Sequence, residues 1–462
     1  MDDMLRRRPF AMRASRRVTL LTLCLAVTIA HIDTFIVNLG ARVIGDHFGA
    51  GIDQLQWIVD SYNLVYAASL LTGGMLADRY GRRRILMAGA VIFSAASLLC
   101  AAAPSALVLI GGRALTGAGG ALMIPASLAI IRVVWDRPDE RARALGIWAA
   151  CNGVAMALGP SLGGLLIPWL GWRSIFLVIV PLGLLVVAMA GSTVPESANP
   201  QRRAFDAPAQ LCGALALGSL TYAAIGGQSA PGAMIAALVV AALSTTLLIA
   251  IERKKGSAAL LSPEILGARQ FRAAMIATTG MTFGGYGMVF VLPLAWQSSG
   301  RFDAAASAAA LLPMSLVFVL VSPLSGTLSD KFGLRATASG GVTLMSVGLL
   351  MIGLGGLQPD VALAEFGLAI TGLGLGLAAG PLSAMAVGDV TAARAGTAAA
   401  LINVARISGA TIGVAMLGAL YAAAGGGGHG LRLAMLAGSL VQFAGASLAW
   451  MMTQRKAPGL RI

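Results

Sequence analysis

Charge is scarce in this chain. Aspartate, glutamate, lysine and arginine make up only 11% of its 462 residues, against 57% hydrophobic residues, with a mean hydropathy of +0.83. A soluble domain of that length needs far more polar surface, so a soluble enzyme or soluble binding protein is excluded and an integral membrane protein is implied. No G-x-x-x-x-G-K-[ST] loop occurs, which removes the usual route to nucleotide hydrolysis. No segment between the apolar runs is long enough to hold a second, soluble activity. The four cysteines, Cys24, Cys100, Cys151 and Cys212, all lie in apolar runs without metal-like spacing, so they are expected as core thiols, with no metal site and no cofactor.

What charge there is has a pattern. The formal net charge is +14, yet the basic residues sit in short segments between apolar runs, which is a topology signal and not a nucleic-acid surface. Apolar runs long enough to span a bilayer number fourteen. Six fall at 18–40, 55–76, 85–103, 107–131, 145–168 and 173–194, two at 209–228 and 232–251, and six at 273–297, 305–328, 337–357, 361–386, 397–421 and 432–452. The expected organisation is a basic N-terminus (1–17), a six-helix bundle (18–194), a linker carrying two extra spans (195–272), a second six-helix bundle (273–452) and a tail (453–462). With both termini cytoplasmic, only Arg42, Arg113, Arg173, Arg301, Arg406 and Arg432 of the 33 basic residues lie outside or within the membrane. One missed span would invert that asymmetry. The expectation is an all-α, multi-pass protein of the cytoplasmic (inner) membrane.

The chain also repeats itself. Gly74–Arg84, GMLADRYGRRR, returns in degraded form at Gly326–Ala336, GTLSDKFGLRA, 252 residues later. Each copy lies between two long apolar runs, and the eight spans between them put both loops on the same side. Further motifs are DTFIVN from Asp33, WIVDSYNLVYA from Trp57, RALTGAGGA from Arg113, and NGVAMALGPSLGG from Asn152.

Together these resemble the major facilitator superfamily, and within it the fourteen-helix drug:proton antiporters that include quaternary-ammonium and methylenomycin exporters. The chain departs from that group's pattern at Phe35, Arg42, Thr116 and Ile407. The resemblance implies two six-helix bundles plus two central helices, working by alternating access on a small-molecule substrate. It makes Gly74, Asp78, Arg79, Gly81 and Arg82, with Asp330, Lys331 and Gly333 in the second copy, a conformational gate. It makes Gly153, Gly159, Pro160, Gly163 and Gly164 the antiporter motif.

Ionisable residues inside spans are costly, so each is a functional candidate. Asp33, Asp60 and Arg113 come from three helices and lie about 10, 8 and 9 Å deep at roughly 1.5 Å per residue. Two carboxylates facing one arginine cannot both be fully paired. The favoured assignment pairs Asp33 with Arg113 and leaves Asp60 exchangeable; the reverse also fits the depths. A carboxyl able to hold a proton or a cation, but not both, is the minimum device for proton:cation exchange. The competing reading is a buried ion network that only fixes helix packing. Asp60, Tyr62, Tyr66, Phe283, Tyr286, Phe290 and Arg406 are the expected substrate cavity, the aromatics suiting flat cations. His31 sits on another helix face from Asp33 and is expected to pack or to face water, and Trp57 and Trp296 fall where interfacial tryptophans are common. The leading expectation is a monomeric, proton-driven exporter of lipophilic cations in contact with lipid but not nucleic acid. A dedicated exporter of one antibiotic or metabolite, cationic or anionic, is the alternative, with a nutrient symporter behind it.

Overall fold

The structure is a computed structural model that describes residues 2–198, 207–226, 230–255, 263–355, 362–391 and 395–453. The expected tail beyond Thr453 and parts of the expected 195–272 linker lie outside the described residues. All regular structure among the described residues is helical: α1 (Asp2–Phe48), α2 (Ile52–Tyr80), α3 (Arg82–Ala101), α4 (Ala106–Val134), α5 (Pro138–Leu170), α6 (Ser174–Leu177), α7 (Ile179–Thr193), α8 (Ala207–Gly226), α9 (Pro231–Lys255), α10 (Pro263–Gly267), α11 (Arg269–Ser298), α12 (Ala304–Val321), α13 (Leu324–Phe332), α14 (Leu334–Gly355), α15 (Ala362–Gly388), α16 (Ala395–Ala423) and α17 (Gly427–Met452). The segment expected as a basic arm, 1–17, is drawn into α1 from Asp2 onward.

Thirteen helical stretches among the described residues are long and apolar enough to cross a bilayer. One of them joins α6 and α7, which part at Val178, three residues before Pro181. Proline has no N–H to give the preceding turn, and this explains the break. Helix α2 stands apart from the thirteen. Its 29 residues reach about 43 Å at 1.5 Å per residue, but Asp53, Gln54, Gln56, Asp60, Ser61 and Asn63 depress its hydropathy.

The chain divides into two compact units, residues 1–214 with 302–309, and residues 215–301 with 310–462. In the first, α4 packs on both α2 and α3, α1 on α5, and α7 on α3 and α1. In the second, α15 packs on α14, α16 on α11, and α17 on α11 and α14. Counting spans within each set of six, the first meets the fifth and sixth, and the third meets the fourth and sixth, in both units. The repeat read in the loops therefore extends to helix packing.

Small residues make these contacts close, as expected where lipid tails are no less apolar than the side chains. A Cβ on Gly89 would lie 2.8 Å from Met123 and 2.9 Å from the Gly119 carbonyl, across α3 and α4. In the second unit, Gly341 meets the Gly374 carbonyl at 2.6 Å, and Gly367 meets that of Gly348 at 2.7 Å, across α14 and α15. The Gly372–Gly374–Gly376 run, which could be mistaken for a phosphate loop, is used wholly for packing against α12 and α14.

Gly117 on α4 tests this packing. A Cβ there would strike the Tyr62 backbone of α2, whereas one on Gly111 meets nothing within 4 Å. Gly117→Val is expected to cost on the order of 1–3 kcal/mol or more by overpacking. Gly111→Val should be close to neutral, and thermal unfolding of detergent-purified protein compares the two.

Candidate functional site

The first unit holds the polar cluster. Along α2, Gln56, Asp60 and Asn63 recur at intervals of four and three and so share one helix face. All three are at most 1% exposed. On α1, Asp33 is fully buried; Thr34 hydrogen-bonds back to the Ala30 carbonyl at 3.0 Å, and Asn38 Nδ2 to the Thr34 carbonyl at 2.8 Å. Helix α4 brings Arg113, 1% exposed, between them.

Arg113 ties the three helices together. Its Nη1 donates to Asp33 Oδ2 of α1 in a buried ion pair. Its Nε donates to the Ile58 carbonyl of α2 at 3.1 Å, and its guanidinium lies 4.7 Å over the Tyr62 ring. Tyr62 in turn donates its hydroxyl to the Ala30 carbonyl at 3.2 Å and stacks on Tyr66, with centroids 5.9 Å apart. The glycines that follow Arg113 in RALTGAGGA permit this approach: Gly117 abuts the Tyr62 backbone, and a Cβ on Gly120 would stand 3.2 Å from its hydroxyl.

Asp60 is not among Arg113's partners. Its carboxyl is fully buried and neither oxygen has a hydrogen-bond partner. Asp33 Oδ1, Asn38 Oδ1 and Asn63 Nδ2 are unsatisfied as well. Shared depth thus brought Asp33 and Arg113 together, but it did not place both carboxylates on one arginine. An unpaired ionised carboxylate in such surroundings is costly, and a side chain able to take up a proton or a passing cation there removes that cost.

The remaining candidates are more dispersed. His31 Nδ1 stays with the Val27 carbonyl of its own helix at 2.8 Å. In the second unit, Phe290 and Trp296 are fully enclosed and Phe283 nearly so, while Tyr286 keeps partial exposure. Trp296 is thus a core residue of the helix bundle, not the interfacial anchor its position suggested. Arg406 donates to Asn403 Oδ1 at 3.1 Å and to Ser383 Oγ at 3.4 Å, and Tyr286 lies within reach of its charge. Gly159 and Gly163 of α5 seat α1, with Phe35 Cβ and Leu39 Cδ2 at 2.7 and 2.9 Å from a notional Cβ; Gly164 faces Ala308 at 2.6 Å; Gly153 and Pro160 are buried.

The repeated loops end one helix and begin the next without a connecting strand of chain. Gly81 (φ +107°) and Gly333 (φ +86°) take the backbone conformation that L side chains avoid. In the first loop Arg82 donates from Nε (3.0 Å) and Nη2 (2.7 Å) to Asp78 Oδ1. Gly74 faces Pro125 and Arg79 lies over the Tyr80 ring. In the second loop Asp330 is exposed and in no ion pair among the described residues, and Lys331 lies over Phe332.

One residue of this region escaped the sequence reading. Glu196, beyond α7, accepts from the Arg83 and Arg84 backbone N–H groups at 3.1 and 3.3 Å and sits against Gly81, where a Cβ would come within 2.8 Å. A carboxylate over free N–H groups at a helix start supplies both a cap and dipole complementarity. Glu196 is more than a hundred residues from the loop it caps, so no local spacing announces it.

Two helical units that repeat the same internal packing, one of them with a charged cluster buried inside it, have the architecture of a membrane transporter. The chain belongs to the Major Facilitator Superfamily, whose sequence model matches residues 23–414. It is 34% identical over 415 residues to the multidrug resistance protein Stp of Mycobacterium tuberculosis, covering 89% of this chain and 77% of that one. It is 31% identical over 407 residues to a methylenomycin A resistance protein of Bacillus subtilis (87% and 86% covered) and 32% identical over 406 to a probable actinorhodin transporter of Streptomyces coelicolor (84% and 70%). Among solved structures, a bacterial homologue of the human lysosomal transporter Spinster shares the fold at TM-score 0.70 and 20% identity, with 95% of this chain and 96% of that one covered.

Three outcomes follow from the cluster and the cap. Removing Arg113 alone strands Asp33 and should destabilise the protein by about 3–5 kcal/mol. Asp33→Asn with Arg113→Gln should lose less than the two single changes summed, as a thermal-unfolding double-mutant cycle would show. Glu196→Ala should cost about 1 kcal/mol, typical of a lost cap, and its thermal midpoint should fall below that of wild type.

Proposed function

We propose that this protein is an efflux transporter of the cytoplasmic membrane that exchanges protons for lipophilic, cationic compounds by alternating access. In this reading α2 joins the thirteen apolar stretches as a fourteenth span, both termini are cytoplasmic, and the protein works as a monomer without a cofactor. The drug-resistance and antibiotic-export relatives support the efflux direction. The observation that carries the exchange is Asp60, a fully buried carboxyl with no hydrogen-bond partner on either oxygen, in the same unit as an Asp33 already held by Arg113. In the proposed cycle Asp60 holds a proton when the site is empty and gives it up when a cation arrives. Asp33 and Arg113 keep α1, α2 and α4 in register throughout. A second reading, export of one dedicated antibiotic or metabolite, draws on the actinorhodin and methylenomycin relatives and on Arg406 in the second unit, which could meet an electron-rich group.

The test is proton release from purified protein in weak buffer near neutral pH, on addition of ethidium or a quaternary ammonium biocide. Wild type should release protons in proportion to cation bound, and Asp60→Asn should bind without release. Equal release from both proteins would move the role to Asp33. Absence of binding by either cation would favour the dedicated exporter.

A further inference from the structure

Two of the four cysteines face each other. The contact between α1 and α5 has a constant register: Gly159 meets Ile32, 127 positions earlier in the chain, and Gly163 meets Ile36 at the same separation. A constant offset means that the two helices run parallel, and continuing it two turns toward their N-terminal ends sets Cys151 opposite Cys24. The side chains agree: Cys151 interacts with Cys24 and with Thr28, one turn along α1 from Cys24. Cys151 thus enters the gap between two successive turns of α1. Its Sγ also donates to the Ile147 carbonyl at 3.3 Å. Cys24 is 8% exposed and Cys151 half-buried, whereas Cys100 is fully enclosed and bonded toward Leu109.

We propose that Cys24 and Cys151 form an oxidation site that closes to an intramolecular disulfide between α1 and α5 when a small, membrane-permeant peroxide reaches it. Cys151, the more exposed, attacks the peroxide, becoming a sulfenic acid as the O–O bond breaks and one water leaves. The Cys24 sulfur then attacks the sulfenyl sulfur, forming the S–S bond and expelling a second water. Two thiols and one hydrogen peroxide thereby give one disulfide and two waters. Disulfide closure needs Cα atoms within about 7 Å. Closure therefore requires the close approach of α1 and α5 seen at Gly159 and Gly163 to extend to Cys24 and Cys151. A thiol reductant reverses the step.

The experiment uses full-length, detergent-purified protein exposed to hydrogen peroxide, then denatured, alkylated and analysed by intact mass and peptide mapping. Wild type should lose two alkylation sites together, with a mass loss of two hydrogens, a linked peptide containing Cys24 and Cys151, and full recovery with dithiothreitol. Cys24→Ser should instead accumulate oxygen on Cys151. A double Cys100→Ser, Cys212→Ser protein should behave as wild type; peptide mapping of wild type answers the question even if that variant folds poorly. Oxygen addition at Cys151 with Cys24 still alkylated would overturn the proposal, as would linkage to Cys100 or Cys212, or unchanged alkylation of both thiols.

Discussion

The first unit depends on one buried guanidinium. Arg113 meets α1 through a carboxylate, α2 through a backbone carbonyl, and the Tyr62 ring through its face, and it does so from the most glycine-rich stretch of α4. Each partner alone is a modest interaction. Held together inside an apolar bundle they are mutually dependent, because removing any one exposes a desolvated polar group to nothing. Burying an ion pair is not in itself a source of stability. What this one supplies is registration: it fixes the level at which three helices meet, and so the level at which the unpaired Asp60 lies.

That registration separates structural charge from available charge. Asp33 is occupied by Arg113 on one oxygen, whereas Asp60 is in no ion pair and has no hydrogen-bond partner on either oxygen, though both residues are fully buried. Two carboxylates of similar depth therefore present different chemistry, and the difference comes from their neighbours alone. The second unit offers a contrasting arrangement, with Arg406 bound to the neutral side chains of Asn403 and Ser383.

Much of this was legible in the amino-acid order, for identifiable reasons. Lipid forces long apolar helices, so the spans stood out, and a sharp turn between two helices forces glycine, so Gly81 and Gly333 marked the repeat. A rare charge in an apolar run also announces itself, which is why Asp33, Asp60 and Arg113 were found. Direction around a helix was harder. Depth along the axis suggested that both carboxylates face Arg113, but depth carries no azimuth, and the structure leaves Asp60 out. Glu196 was missed because its role arises from the return of the chain after α7, and Cys24–Cys151 because their offset becomes visible only once α1 and α5 are known to be parallel neighbours. Trp296 was misplaced because nearness to a span's end says nothing about whether a ring points toward lipid or inward.

The polar stripe of α2 has a consequence for how the protein is made. As the proposed fourteenth span, α2 carries Gln56, Asp60 and Asn63 in its first half and partitions poorly into lipid by itself, since a buried aspartate costs up to about 2.5–3.5 kcal/mol at mid-membrane on insertion scales. Its stripe is tolerable only against α1 and α4, and α4 emerges from the ribosome last of the three. Burial of that stripe, and with it completion of the first unit, therefore waits for α4 rather than following from the hydropathy of each span.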